Sequence, residues 1–328
     1  MDWAEKQVVV TGAGGFIGSH LTEELSRRGA RIRGFVRYNS RTSYGFLDTV
    51  PASLGERIRI IQGDLRDPAA VAGAVRDSEV VFHLGAMISI PYSYVHPRET
   101  IETNVLGTLN VLNACREFGV GRMLCASSSE VYGTALYAPI DEKHPLQGQS
   151  PYSASKIAAE MLTESFFRAY ELPVTIVRPF NTYGPRQSAR AVVPTIITQA
   201  LAGPEVQLGD VTATRDLMYV ADNVAGFLRL AESPDARGQV VNLGTGTEVT
   251  IEEVVKRVGA LLGKSLTIVV DSARIRPQRS EVRRLVADAS RARALGWAPA
   301  VDLDEGLRRT IAFIRDAASL YRPGTYTI

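Results

Sequence analysis

The sequence predicts a doubly wound parallel α/β sheet accompanied by a second, smaller α/β domain. Three observations carry that expectation. Up to about residue 180, short β-rich runs alternate with segments of helical period, the pattern of parallel strands joined by crossover helices. A glycine-rich turn, Thr11 to Gly18, separates the first such run from the first helix. The chain has 328 residues, beyond the roughly 250–300 at which a single core stops growing, so a large domain with a smaller companion is expected.

In order, Val8–Val10, Ile32–Val36, Ile58–Ile61, Val80–Leu84, Met123–Ala126 and Val174–Val177 read as six strands. Between them, Ile17, Leu21 and Leu25, and then Ile101, Val105, Leu109 and Leu112, recur at spacings of three and four, as on core-facing helices. Beyond residue 180 the rhythm loosens into helices near Val192–Leu201 and Ala221–Leu230, a strand at Val240–Leu243, and helices at Ile251–Leu262 and Leu303–Ala318. Residues 1–180 and 215–247 are assigned to the larger domain and 181–214 and 248–328 to the smaller.

Composition narrows the function classes. With 37 Lys and Arg against 35 Asp and Glu the net charge is +2, which gives no electrostatic case for nucleic acid. The two cysteines, Cys115 and Cys125, lie in apolar segments without ligand-like spacing to the four histidines, so neither a disulfide framework nor a metal site is expected. No apolar run reaches the ~18 residues of a membrane span and no leader precedes Val8, so a soluble cytoplasmic protein is the expectation.

Gly12, Gly15 and Gly18 let the backbone turn tightly, approach a pyrophosphate and pack the helix on the strand, while the amides of Phe16, Ile17 and Gly18 face the phosphates. A plain tight turn needs glycine too, but the placement between strand and helix favours a dinucleotide-binding turn. A carboxylate at the end of the second strand would select NAD, but Phe35 to Arg41 contains none. Arg37 offers a planar fork to a 2′-phosphate, with Ser40 and Arg41 beside it, so NADP is favoured and NAD remains possible; the same arginines could simply be solvated. Asp64 and Leu65 follow the third strand, where they could meet adenine, although Asp64 could equally cap a loop.

Tyr152 and Lys156, four apart on a helix, share a face, so an ammonium beside the phenol can lower its pKa and allow proton exchange near neutral pH. Ser128, after the fifth strand, can hold a substrate oxygen against that phenol.

With the glycine turn, these residues make the chain resemble the extended short-chain dehydrogenase/reductases over nearly its whole length. His83-Leu84-Gly85-Ala86, Asn104, Arg178 to Pro185, Arg215-Asp216, Tyr219 to Asp222 and Asn242-Leu243-Gly244 also match. The resemblance implies cofactor contacts at Leu84 and Ala86 and a nucleotide-diphosphate sugar between the domains, near Ser89, Asn181, Arg186, Arg215 and Arg279 of the Arg276 to Arg279 loop. It also implies a homodimer through the helices around Ile101–Leu112 and Tyr152–Phe167, a reading supported by the adjacent Phe166 and Phe167.

Ala126 to Gly133, with Ser129 and Glu130, looks most like the 4,6-dehydratases of this family, in which a hydroxyl residue precedes a glutamate. Phe35 to Arg41 and Asp141 to Tyr152 are most similar to the nucleotide-N-acetylglucosamine 4,6-dehydratases of legionaminic acid pathways, a group usually NAD-dependent. Oxidation at sugar C4 acidifies the C5 hydrogen; Glu130 is then the expected base, and Ser129 or the protonated Glu130 the acid for the departing C6 hydroxyl. Glu130 could instead cap the following turn. A UDP-glucuronate decarboxylase, a 4-epimerase and a non-catalytic dinucleotide sensor stay open as alternatives; the epimerase leaves Glu130 without a task, and sensors tend to lose Tyr152 or Lys156.

Overall fold

The computed structural model describes residues 1–40, 42–274, 277 and 279–321. Six strands, β1 (Gln7–Thr11), β2 (Arg31–Arg37), β3 (Ile58–Gly63), β4 (Val80–His83), β5 (Arg122–Ala126) and β6 (Val174–Pro179), form one parallel sheet with a seventh, Val240–Leu243. The seventh lies beside β6, pairing Val241 with Val177 and Leu243 with Pro179, so the isolated strand expected in the second half completes the first sheet. Spatial order runs from Val240–Leu243 through β6, β5, β4 and β1 to β2 and β3. Strand order reverses between β1 and β4, and ligands of open α/β sheets bind at the carboxyl ends of the strands at such a point.

Central strands read as continuous apolar runs because both faces are covered: Val8, Val9 and Val10 are all buried. One face packs on α1 (Phe16–Arg27) and helix Val220–Glu232. The other packs on helices Pro68–Val75, Gly107–Glu117 and Pro151–Tyr170. A further core joins helices Val192–Ala202, Ile251–Leu262 and Leu303–Asp316 with the parallel strands Glu205–Leu208 and Thr267–Val270.

The continuous helix expected around Ile101–Leu112 is interrupted. Pro97–Ile101 is α-helical, Glu102–Leu106 is a π turn and Gly107–Glu117 is α-helical again. The wider turn rotates the apolar stripe: Ile101 and Leu106 are each 48% exposed, while Asn104 is buried. Phe166 is buried and Phe167 packs with it inside the chain, closing over Gly238, so neither supports an oligomer contact.

Helix Pro151–Tyr170 starts at a Ser150/Ser153 capping box with Pro151 in its first turn, which fixes where Tyr152 begins. It is tied to the sheet by a buried ion pair in which Arg178 of β6 donates to both oxygens of Glu160, at 2.9 and 2.6 Å. Both side chains are under 5% exposed. Removing one member strands the other's charge, so Glu160→Ala should lower the unfolding free energy by about 3–5 kcal/mol in urea titrations, and Arg178→Met/Glu160→Met by much less.

Two histidines are held neutral. His83, at the end of β4, lies 2.8 Å from Thr11 Oγ1 and 3.0 Å from Thr108 Oγ1. Thr11 Oγ1 already accepts from Gly85 N and Thr108 Oγ1 donates to Asn104 O, so Thr11 donates to Nδ1 and Nε2–H donates to Thr108. Burial pushes His83 down to about 3, and His20, which meets Pro185 O at 2.9 Å, down to about 4. Both values lie below the ordinary 6.5, so on acidification the unfolded chain takes up these protons first. No penalty exists above about pH 6.5, and it grows as pH falls towards the folded values, by up to ~1.4 kcal/mol per pH unit for each histidine. Urea midpoints should therefore fall from pH 6.5 to 5, before the carboxylates contribute, and less steeply in His20→Gln.

Candidate active site

The carboxyl ends of β1, β2 and β3 and the segment after β4 line one cleft. Gly12 takes φ +70°, and a Cβ there would lie 2.9 Å from Gly85 Cα; one on Gly18 would strike Gly12 O. These contacts bring α1 beneath the turn as only glycines allow. Gly15 starts α1 without a side-chain cap, which leaves the amides of Phe16, Ile17 and Gly18 outside the helical bonding. Alongside lies a cavity of about 130 Å³ lined by Gly12, Phe35, Arg37, Asp64, Leu65 and Ala86, among others. Open amides at a helix start beside a flat apolar slot fit a dinucleotide. Leu84 sits behind it, packed partly buried against the core.

Arg37, whose side chain is 61% exposed, meets Glu99 through one nitrogen, Nη2 to Oε1 at 3.2 Å. Ser40 is exposed, and Arg41 lies outside the described residues. Asp64 lines the cavity while its carboxylate grips Arg66 at 3.0 and 2.6 Å, which holds that carboxyl below its usual range.

Ser128 leaves β5 in an extended conformation and its Oγ accepts from Glu130 N at 3.2 Å, opening the short helix Ser129–Tyr132. The Ser128 hydroxyl draws the pKa of the Tyr152 phenol down and the Glu130 charge raises it, so the three groups lie near one another. Ser129 is 2% exposed, whereas Glu130 is half-buried. Lys156 does not act as expected: its Nζ donates to Ala126 O at 2.6 Å. With burial dominant and no ammonium offsetting it, Tyr152 is pushed up to about 12 rather than lowered. Burial lowers Lys156 from its ordinary value.

Of the expected sugar-nucleotide contacts, Asn181 follows β6 next to this site, and its buried Oδ1 has no partner among the described residues. Ser89 is instead the N-cap of helix Ile90–Val95, accepting from Tyr92 N at 3.3 Å. Arg186, at φ +67°, turns to α1 and donates to Glu23 at 2.7 Å, which docks the Pro185 segment on the cofactor helix. Arg215 Nη2 meets Glu281 at 3.2 Å. Arg279 is exposed, while Arg276 and Gln278 lie outside the described residues.

Sequence reading missed the supports of this site. Tyr132 donates to Asn242 Oδ1 at 2.6 Å and accepts from Arg178 at 2.8 Å, so the loop bearing Glu130 hangs on the Arg178–Glu160 pair. Asn104 holds both backbone groups of Met87 and donates to Ser155 Oγ at 2.9 Å. Glu160 could have been found, standing one turn beyond Lys156 on the same helix; Glu99, 62 residues from Arg37, carried no local signal.

Residues 9–310 match the family described as GDP-mannose 4,6 dehydratase. A dTDP-glucose 4,6-dehydratase of Streptomyces antibioticus is 33% identical over 322 residues, 96% of this chain and 94% of that one. A UDP-glucose 4-epimerase of Mycolicibacterium smegmatis is 35% identical over 319 residues, 94% and 99% of the two chains. The structure of a double mutant of DesIV, a dTDP-glucose 4,6-dehydratase of Streptomyces venezuelae with NAD bound, aligns with a TM-score of 0.86 at 29% identity, covering 96% of this chain and 98% of that one. The match across the whole sheet means that this chain belongs to the GDP-mannose 4,6-dehydratase family of extended short-chain dehydrogenase/reductases.

Proposed function

We propose that the protein is a nicotinamide-dinucleotide-dependent nucleotide-sugar 4,6-dehydratase that converts a nucleotide-diphospho-hexose to its 4-keto-6-deoxy form. One observation carries the reading: the Glu130 charge and the Ser128 hydroxyl both act on the Tyr152 phenol. An epimerase needs the phenol and the hydroxyl but no carboxylate beside them; elimination of water needs all three.

The dinucleotide would be held by the amides of Phe16 to Gly18, by Gly12 and by the cavity walls at Phe35, Asp64, Leu65 and Ala86. When bound, it supplies a hydride acceptor at C4 and a hydride donor at C6. Tyr152 takes the proton of the C4 hydroxyl while Ser128 orients that oxygen. Glu130 removes the C5 proton once C4 is a ketone, and as the C6 hydroxyl leaves, the protonated Glu130 returns a proton to it. Ser129 is buried, which favours Glu130 over Ser129 as that acid. Asn181 Oδ1 would accept from the sugar nucleotide, and Arg215 would meet its diphosphate.

The likeness of Phe35 to Arg41 and Asp141 to Tyr152 to enzymes acting on nucleotide-linked N-acetylglucosamine supports an N-acetyl group at C2. The exposed Arg37 side chain supports a preference for NADP. Exposed Ile101, Leu106 and Met161 support a homodimer through these helices, for which light scattering should give twice the chain mass.

Tyr152→Phe should lower turnover by roughly 10² to 10⁴-fold with dinucleotide binding retained. Glu130→Gln keeps the shape but not the base: oxidation at C4 should proceed and stop there, with reduced-nicotinamide absorbance accumulating and no loss of water by mass spectrometry. In heavy water the wild type should place deuterium at C5 and Glu130→Gln should not. Water loss at the wild-type rate in Glu130→Gln would overturn the assignment, and carbon dioxide released from a uronic acid would identify a decarboxylase instead.

A further inference from the structure

Ser280 lies between Arg279 and Glu281 in the second half of the chain, yet its hydroxyl is bonded to two segments of the first half. It donates to Gln149 O at 2.6 Å. With its one proton directed there, it accepts from the Tyr94 hydroxyl, 2.5 Å away. Gln149 immediately precedes Ser150, the cap of the helix that carries Tyr152. Tyr94 lies on helix Ile90–Val95, whose Ser93 Oγ accepts from Tyr152 N at 3.3 Å. One hydroxyl thus joins the Arg279–Glu281 segment to both elements that meet at the start of the Tyr152 helix.

The two sides of this bridge are secured differently. Gln149 is held again at Oε1, which accepts from Thr134 N at 3.0 Å, and it abuts the Ser150/Ser153 capping box. Helix Ile90–Val95 has its own cap at Ser89. On the other side the bonds are local or longer. The amides of Ser280 and Glu281 turn back onto Pro277 O, Thr134 Oγ1 reaches Glu281 O at 3.3 Å, and Glu281 meets Arg215, itself in the second half, at 3.2 Å. Firm packing resumes at Val282, which is 1% exposed. Loss of the Ser280 hydroxyl would therefore loosen Arg279 to Glu281 and leave the Tyr152 helix in place.

We propose that Ser280 is a positioning residue for the sugar nucleotide: its hydroxyl holds Arg279, and Glu281 beside Arg215, against the start of the Tyr152 helix. The groups that meet the diphosphate are then fixed relative to the phenol before the substrate arrives. A segment ordered in advance spares the entropy of ordering it on binding, so the hydroxyl acts on affinity rather than on proton transfer. The inference rests on the nucleotide-sugar reading above and adds the residue that aligns the second half of the chain with the reacting groups.

Calorimetric titration of UDP, GDP and dTDP into the full chain, with NAD at saturation, tests it. Ser280→Ala should weaken the nucleotide that the wild type binds most tightly by about tenfold, the scale of two lost hydrogen bonds, with the affinity for NAD unchanged. Ser280→Thr, which keeps the hydroxyl, should restore the affinity, and Tyr94→Phe, which removes one of the two bonds, should weaken it by less. Circular dichroism checks that each variant is folded. A serine with a merely structural role would lower the urea midpoint and leave the nucleotide affinity of the folded protein where it was; that result overturns the proposal, as does an equal loss of affinity for NAD. If Ser280→Ala does not fold, an unchanged nucleotide affinity in Tyr94→Phe overturns it. A wild type that binds none of the three nucleotides overturns the nucleotide-sugar reading and this role of Ser280 with it, whereas equal binding by wild type and Ser280→Ala overturns the role of Ser280 alone.

Discussion

The guanidinium of Arg178 is the contact on which the rest of the site depends. It leaves the end of β6, neutralises Glu160 on the helix that carries Tyr152 and Lys156, and bonds the hydroxyl of Tyr132 on the loop that carries Glu130. Tyr132 in turn donates to Asn242 on the seventh strand. Four elements distant in sequence are thereby referred to one buried charge, and the distances among Ser128, Glu130 and Tyr152 follow from that framework rather than from the loops themselves. A buried charge of this kind adds little net stability, because its desolvation offsets most of its attraction. What it fixes is position: three acceptors around a planar group can be satisfied together in only one arrangement.

Most of the sheet was legible because both faces of a parallel sheet are covered, so strands such as Val8–Val10 announce themselves as unbroken apolar runs between helical segments. The glycine turn was legible for a related reason: at Gly12 and Gly18 the backbone comes so close that no other residue fits, and steric exclusion leaves a mark in sequence. The π turn at Glu102–Leu106 was not legible. Period counting assumes a constant rotation per residue, and one wide turn exchanges which apolar positions face inward, sending Ile101 and Leu106 to the surface and Asn104 to the core.

Within the site, residue types were readable and their partners were not. Arg37, Arg186 and Arg215 each looked like a free cation awaiting an anion, and each is paired with a carboxylate of this chain, Glu99, Glu23 and Glu281. The separations explain the difference: 62, 163 and 66 residues divide the partners, so no local pattern could couple them.

The phenol of Tyr152 shows the same logic applied to protons. Burial foremost, with the Glu130 charge adding to it and the Ser128 hydroxyl offsetting part, raises it to about 12, while the Lys156 ammonium is turned to the carbonyl at the end of β5. In this arrangement the phenol keeps its proton at neutral pH, and it cannot serve as a base until positive charge comes nearer than Lys156 now stands. A cationic nicotinamide seated in the cleft would bring such charge.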